Sequence, residues 1–171
     1  MYNAASLVIS MLALALSGLA TVRQTRHARS ESDMTMVLEV AMRNIRDKEF
    51  QSDQMYVLTQ LSREHPPDSG MDALPEPARS MTRNVAFTYE YLAIMYALGM
   101  VDSRIALGIF HFRINQVWET LEPYIRAERV VRQAPCCPFF ENLYLRARSR
   151  PLHVILRSLG LRSSRGFSPE D

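Results

Sequence analysis

Apolar positions are nearly continuous at the start of this chain and periodic afterwards. From Met1 to Val22 no side chain carries a charge, and Leu, Ile, Val, Ala and Met dominate. A helix rises about 1.5 Å per residue, so about 20 such residues cover the roughly 30 Å hydrocarbon layer of a bilayer. The run predicts a membrane-spanning helix. Behind it, Val37, Leu38, Ala41, Met42 and Ile45 recur at a helical period and predict a helix over Met34 to Phe50, capped by Asp33. Met55, Tyr56, Leu58 and Leu61 predict a second, short helix over Ser52 to Arg63. His65 to Pro77 then holds four prolines and a glycine in 13 residues, which cannot propagate a helix and read as a surface loop.

A third helix is predicted from Ala78 to Leu98, with Phe87, Tyr91, Ile94 and Leu98 on its apolar face and Gly99 as its terminator. Asp102 is placed to cap a longer helix in which Leu107, Phe110, Ile114, Val117 and Leu121 repeat at core spacing, widened by Trp118 and Tyr124. Pro123 should kink that helix or restart it. Pro135-Cys136-Cys137-Pro138 makes a second break. Two short helices are predicted beyond it, over Phe139 to Arg148 and Leu152 to Leu159, the latter with Pro151 in its first turn. Gly160 to Asp171 reads as disordered. No alternating strand pattern and no internal repeat occurs. The expected class is all-α, with a transmembrane anchor over 1–22, a basic juxtamembrane linker over 23–33, a compact multi-helix cytoplasmic domain over 34–160 and a tail over 161–171.

Charge adds an orientation. The chain has 20 basic and 18 acidic residues, a balance far from the basic excess of a nucleic-acid module. Arg23, Arg26, His27 and Arg29 follow the apolar run directly, and nothing basic precedes it except the chain's own amino group. Basic flanks stay on the cytoplasmic side, so the expectation is a single-pass inner-membrane protein with its carboxyl-terminal domain in the cytoplasm. A cleaved signal peptide, with Gly18 and Ala20 at its small-residue site, is the competing reading; it lacks a basic leading region, and the apolar run is long. Ser6, Ser10, Ala13, Ser17 and Ala20 form a small-residue stripe of the kind that lets helices approach in lipid, or are simply tolerated there. Near the other end, Arg146, Arg148 and Arg150 precede the apolar stripe Leu152, Ile155, Leu156 and Leu159. These arginines, with Arg23, Arg26 and Arg29, are the candidate contacts to an anionic membrane surface. The competing reading is that this stripe closes the helical core, and both hold together if the arginines face outward and the leucines inward.

Catalytic motifs are absent: no G-x-S-x-G, no phosphate-cradling glycine loop, no H-E-x-x-H and no paired C-x-x-C. His27, His65, His111 and His153 are scattered. Cys136 and Cys137 are adjacent, so they cannot staple distant parts of a fold, and adjacent thiols suit tetrahedral zinc poorly. They read as partly buried thiols at a helix junction, with a vicinal disulfide or a reactive pair as the alternative if the setting is electropositive. Glu90 interrupts the apolar face between Phe87 and Ile94, either as a buried acid with an arginine partner such as Arg113 or at the solvent edge. Glu119 and Glu122 read as a solvated face. No cofactor and no metal is expected.

The stretch Asn84-Val85-Ala86-Phe87-Thr88-Tyr89-Glu90-Tyr91-Leu92-Ala93, followed by Leu98-Gly99-Met100-Val101-Asp102, resembles the core of the bacterial domain of unknown function 4760 family. The continuation through Phe110, Trp118 and Leu121-Glu122-Pro123-Tyr124-Ile125 to Arg129 is similar to that family as well. The resemblance covers about Met34 to Leu145 and implies a membrane helix followed by a polar helical region. It implies that Phe87, Glu90, Gly99, Asp102, Trp118 and Pro123 define the helical core and its turns. The family has no established activity, so the resemblance carries no functional residue across. The proline loop and the Cys-Cys turn depart from its pattern.

The expected function is therefore a non-catalytic interaction or structural module at the cytoplasmic membrane surface. Its expected partners are the lipid bilayer and either a second copy or an unidentified protein, with nucleic acid disfavoured. The alternative is a phage- or toxin-like effector acting on the membrane or on nucleic acid. An enzyme would need a polar pocket, built around Glu90 and Arg113.

Overall fold

In the computed structural model of the chain the described residues are 46–161, together with Leu14 and Ser17, which are helical. The expected anchor over 1–22 lies outside the described residues apart from those two. So do the linker with Arg23, Arg26 and Arg29, the helix start at Met34 and the tail from Arg162 onward. Among the described residues there is no strand, and the fold is all-α. No helix among them is long and apolar enough to cross a membrane.

Among the described residues six α-helices are complete: α1 (Lys48–Thr59), α2 (Leu61–Glu64), α3 (Ala78–Ala97), α4 (Ser103–Arg132), α5 (Pro138–Arg148) and α6 (Leu152–Ser158), with a 3₁₀ turn at Pro67–Ser69. The first break differs from the sequence expectation. Asp47 has extended backbone angles and accepts from the Phe50 amide at 3.1 Å, so α1 starts at Lys48 and runs through the expected boundary at Gln51. A short acidic side chain that satisfies a free amide at a helix start outweighs the small irregularity in apolar spacing.

The spine is α4. Leu107, Phe110, Ile114, Val117, Trp118, Leu121, Tyr124 and Ile125 are all buried, as the periodicity predicts. Burying each side chain of this size contributes about 1.5–3 kcal/mol. Asp102 caps α4, accepting from the Arg104 amide at 2.8 Å. Pro123 neither stops nor restarts α4, which is continuous from Ser103 to Arg132. Pro123 and Glu119, whose carbonyl loses its partner, are both exposed, and the buried neighbours on either side hold the helix together.

On α3 the buried face is not the expected one. Thr82, Val85, Ala86, Tyr89, Glu90, Leu92 and Ala93 are buried, whereas Tyr91 and Leu98 are 64% and 68% exposed. The inward residues range from Ala86 and Ala93 to Tyr89 and Leu92, with polar Thr82 and Glu90 among them, because α1 and α5 both pack on this face. Gly99 ends α3 with φ +68°, and its amide bonds the Tyr96 carbonyl at 3.1 Å.

The proline loop is more than a surface loop. Met71 and Leu74 are buried, and Tyr124 on α4 donates its hydroxyl to the His65 carbonyl at 2.6 Å. Gly70 makes this possible: at φ +79°, a Cβ there would lie 2.8 Å from the Glu128 Cα. Only a residue without a side chain brings the loop that close to α4. The carboxylate of Glu128, itself 1% exposed, then accepts from the Asp72 amide at 2.9 Å and pairs with Arg132.

Candidate functional site

The helix α5 has no side-chain cap of its own at its amino end. Pro138 opens it, and Cys137, at φ +50°, stands where a capping residue would be. Free amides at a helix start carry partial positive charge and need an acceptor. Glu90 on α3 supplies it. Its buried carboxylate accepts from the Phe140 amide at 2.7 Å and the Phe139 amide at 3.3 Å. The partner suggested from sequence, Arg113, instead pairs with Gln116 at 3.0 Å. The correction has a simple cause: two aligned amides at a helix terminus satisfy a buried carboxylate without burying a second charge.

The other end of α5 is held by His111 on α4. Its Nε2 lies 2.9 Å from the Ala147 carbonyl oxygen and 3.0 Å from the Arg150 carbonyl oxygen. Carbonyls only accept, so Nε2 carries a proton and donates. A carboxylate thus meets the positive end of the α5 dipole, and an N–H donor meets the negative end. Between these clamps an aromatic stack fixes the helix sideways. Phe140 stacks on Tyr89 at 5.2 Å and meets Trp118 edge-on at 5.1 Å, and Trp118 stacks on Tyr144 at 5.6 Å. Burial pushes the Tyr89 hydroxyl up to about 12, against the bond it receives from Gln54 at 2.8 Å.

The turn ahead of α5 carries the two thiols. Cys136 and Cys137 are 7% and 4% exposed, with their sulfurs 3.8 Å apart. Arg129 donates through Nε to the Cys136 carbonyl at 2.8 Å and through Nη1 to Glu141 at 2.7 Å, which ties α4 to both sides of the turn. Arg129 Nη2 is buried with no hydrogen-bond partner among the described residues. The hydrogen bond from Cys137 holds the Cys136 thiol down at about 7, against burial and with help from Arg132 and Arg129. The same bond, with burial, pushes Cys137 far above the ordinary thiol range.

The carboxyl-terminal arginines part company. Arg146 and Arg150 line an open cleft of about 440 Å³ with Tyr96, Ser103 and Asn142. Arg146 bonds Asn142 at 3.0 Å and lies 5.9 Å from the Tyr96 ring centre. Between the cleft residues Ala97, Gly99 and Val101, the intervening Leu98 and Met100 are exposed. Arg148 turns to Tyr144, bonding its hydroxyl at 2.6 Å. A second cleft, of about 430 Å³, is acidic and includes Asp47, Glu49 and Asp53, the last bonded by Asn84 at 2.6 Å. Among the described residues no group of three or more His, Cys, Asp or Glu could hold a metal ion.

Of the residues that the resemblance singled out, Trp118 is buried and Phe87 is half-buried under Arg83, whose guanidinium stands 5.4 Å from its ring centre. Glu90 caps α5, Asp102 caps α4, Gly99 ends α3, and Pro123 faces solvent. Sequence reasoning missed His111, Glu128 and Arg129 as organising groups. A usable signal was present at α5, where Pro138 announces a helix start with no Ser, Thr, Asp or Asn before it. A helix start without a local acceptor has to borrow one.

The family model described as "Domain of unknown function (DUF4760)" matches residues 2–147. No curated protein and no solved structure matches the chain.

Proposed function

The chain belongs to the DUF4760 family, and on that premise we propose that it works as a non-catalytic, membrane-tethered helical module. Residues 1–22 anchor it in the inner membrane as a single span, and Arg23, Arg26 and Arg29 keep the following domain cytoplasmic. The domain rests its α3–α4 corner and the end of α5 on the anionic inner leaflet.

The observation that carries this reading is the cleft holding Arg146 and Arg150. No carboxylate lines it, and exposed Leu98 and Met100 flank it. Two cations with no carboxylate partner among the described residues, beside apolar side chains, suit a headgroup layer, where each basic residue contributes about 1 kcal/mol. A non-catalytic role is supported by the structural partners of three polar side chains on α3 and α4. Glu90 and His111 are spent on the ends of α5, and Glu128 on Arg132 and the Asp72 amide.

The test is amide hydrogen exchange on the full chain reconstituted in phosphatidylcholine vesicles with and without phosphatidylserine. Slower exchange over residues 96–104 and 142–150 with phosphatidylserine, lost in the R146E/R150E double variant, is the expected result. Equal exchange in both lipids rejects the leaflet contact. A reporter at the carboxyl end that reads outside the cytoplasm, on a chain shortened at its start, rejects the anchor in favour of a cleaved leader.

A further inference from the structure

The α4–α5 turn holds chemistry that membrane docking does not use. We infer that Cys136 and Cys137 form a vicinal dithiol site for a trivalent arsenical, bound through both sulfurs. The pair is pre-assembled. The sulfurs stand 3.8 Å apart, and the turn that carries them is fixed on both sides. Arg129 grips the Cys136 carbonyl, and the Cys137 backbone is set by the start of α5, whose Phe139 and Phe140 amides are bound to Glu90. A single bridging atom joins sulfurs at that separation with little movement.

The donor set selects the ligand class. Zinc in a closed site takes four protein ligands, and no third His, Cys, Asp or Glu is placed to help among the described residues. A trivalent arsenical that keeps one organic substituent needs two sulfurs and nothing more. The setting supplies the nucleophile: Arg129 and Arg132 and the Cys137 thiol favour the Cys136 thiolate, which is the attacking form. The route in is short. Pro135, Pro138 and Phe139 around the pair are exposed, so the sulfurs lie one layer below the surface.

With phenylarsine oxide the step balances without oxidant or reductant. Two arsenic–sulfur bonds form, the arsenic–oxygen bond breaks, and both thiol protons leave with the oxygen as one water molecule. Arsenic stays trivalent throughout.

The experiment titrates the full chain with phenylarsine oxide and reads intact mass and remaining free thiols. One phenylarsenic group per chain with loss of both thiols is expected, reversed by 2,3-dimercaptopropanol and resistant to a monothiol. C136S and C137S should each weaken binding by about 100-fold or more, the scale on which a second tethered ligand raises avidity. Failure of the wild-type chain to form the adduct overturns the inference, as does an adduct that survives unchanged in either single variant. Arsenic X-ray absorption on the wild-type adduct needs no variant to fold: two sulfur neighbours support the site, and one or three overturn it.

Discussion

Glu90 is a buried carboxylate that sits 9% exposed among apolar side chains and faces two backbone amides. Removing it leaves those donors without an acceptor inside the core, whereas Gln keeps one oxygen in place. Glu90→Ala should therefore destabilise the fold by about 2 kcal/mol, the range for a buried hydrogen bond to a charged group, and Glu90→Gln by less. Equilibrium urea unfolding of the three chains measures both. The thiol pair gives a pH signature. Cys136 titrates at about 7 in the fold against an ordinary 9.0, so between those values the folded chain binds fewer protons than the unfolded one. Its contribution to stability is complete above pH 9, shrinks as pH falls toward 7 and is lost below. Cys137 is shifted the other way and costs stability above the ordinary thiol value. The stability difference between the wild-type chain and a C136A/C137A double variant should accordingly rise from pH 7 to about 9 and then decline. A flat difference across that window would reject the paired arrangement.

Among elements, α4 and α5 show opposite ways of making a helix. The long one is written in its own sequence: a capping Asp102, core spacing through Ile125 and basic Arg129 and Arg132 in its last turn. It is stable enough to carry Pro123, a residue that costs about 3 kcal/mol relative to Ala inside a helix. Because Pro123 faces solvent, Pro123→Ala should raise stability by about 1–3 kcal/mol, read as a higher urea midpoint with an unchanged slope. A loss of stability would mean that the proline shapes the packing of α4. By contrast, α5 borrows both of its ends from α3 and α4. Its presence was legible from Pro138 and the apolar residues Phe140, Leu143, Tyr144 and Ala147, all buried. Its anchoring was not legible, since nothing in the local sequence points to Glu90 or His111. The α3 face was misread for a related reason. Spacing alone favours Phe87, Tyr91, Ile94 and Leu98, but the packing of α1 and α5 against α3 falls on the face of Val85, Ala86, Tyr89 and Ala93.

At the scale of the whole molecule, α4 contacts nearly everything else. The loop at Gly70 and Met71 packs on its far end, α5 crosses its middle, and α6 lies on Gly108, where a Cβ would meet the Leu159 side chain at 2.8 Å. Trp118, the chain's single tryptophan, sits at the centre, 2% exposed. With one continuous core, loss of tryptophan burial and loss of helix should coincide, as in a two-state transition. Fluorescence and far-UV circular dichroism should therefore give the same urea midpoint. A fluorescence midpoint that comes first would show α5 undocking before α4 melts. The arginines divide at this scale too. All three are written into one short stretch of sequence, yet Arg146 and Arg150 share a cleft while Arg148 folds back on Tyr144.

The sequence by itself determined the helical class, the long core stripe of α4, the caps at Asp102 and Gly99 and the two proline-marked breaks. Each of these depends on residues within a turn or two of one another, where period and backbone preference act directly. The tertiary structure alone decided that Glu90 caps a helix 50 residues away, that His111 holds a carbonyl 36 residues away, and that Glu128 receives an amide 56 residues before it. Buried polar groups must find partners wherever packing delivers them, and that delivery depends on how the helices cross rather than on any local pattern.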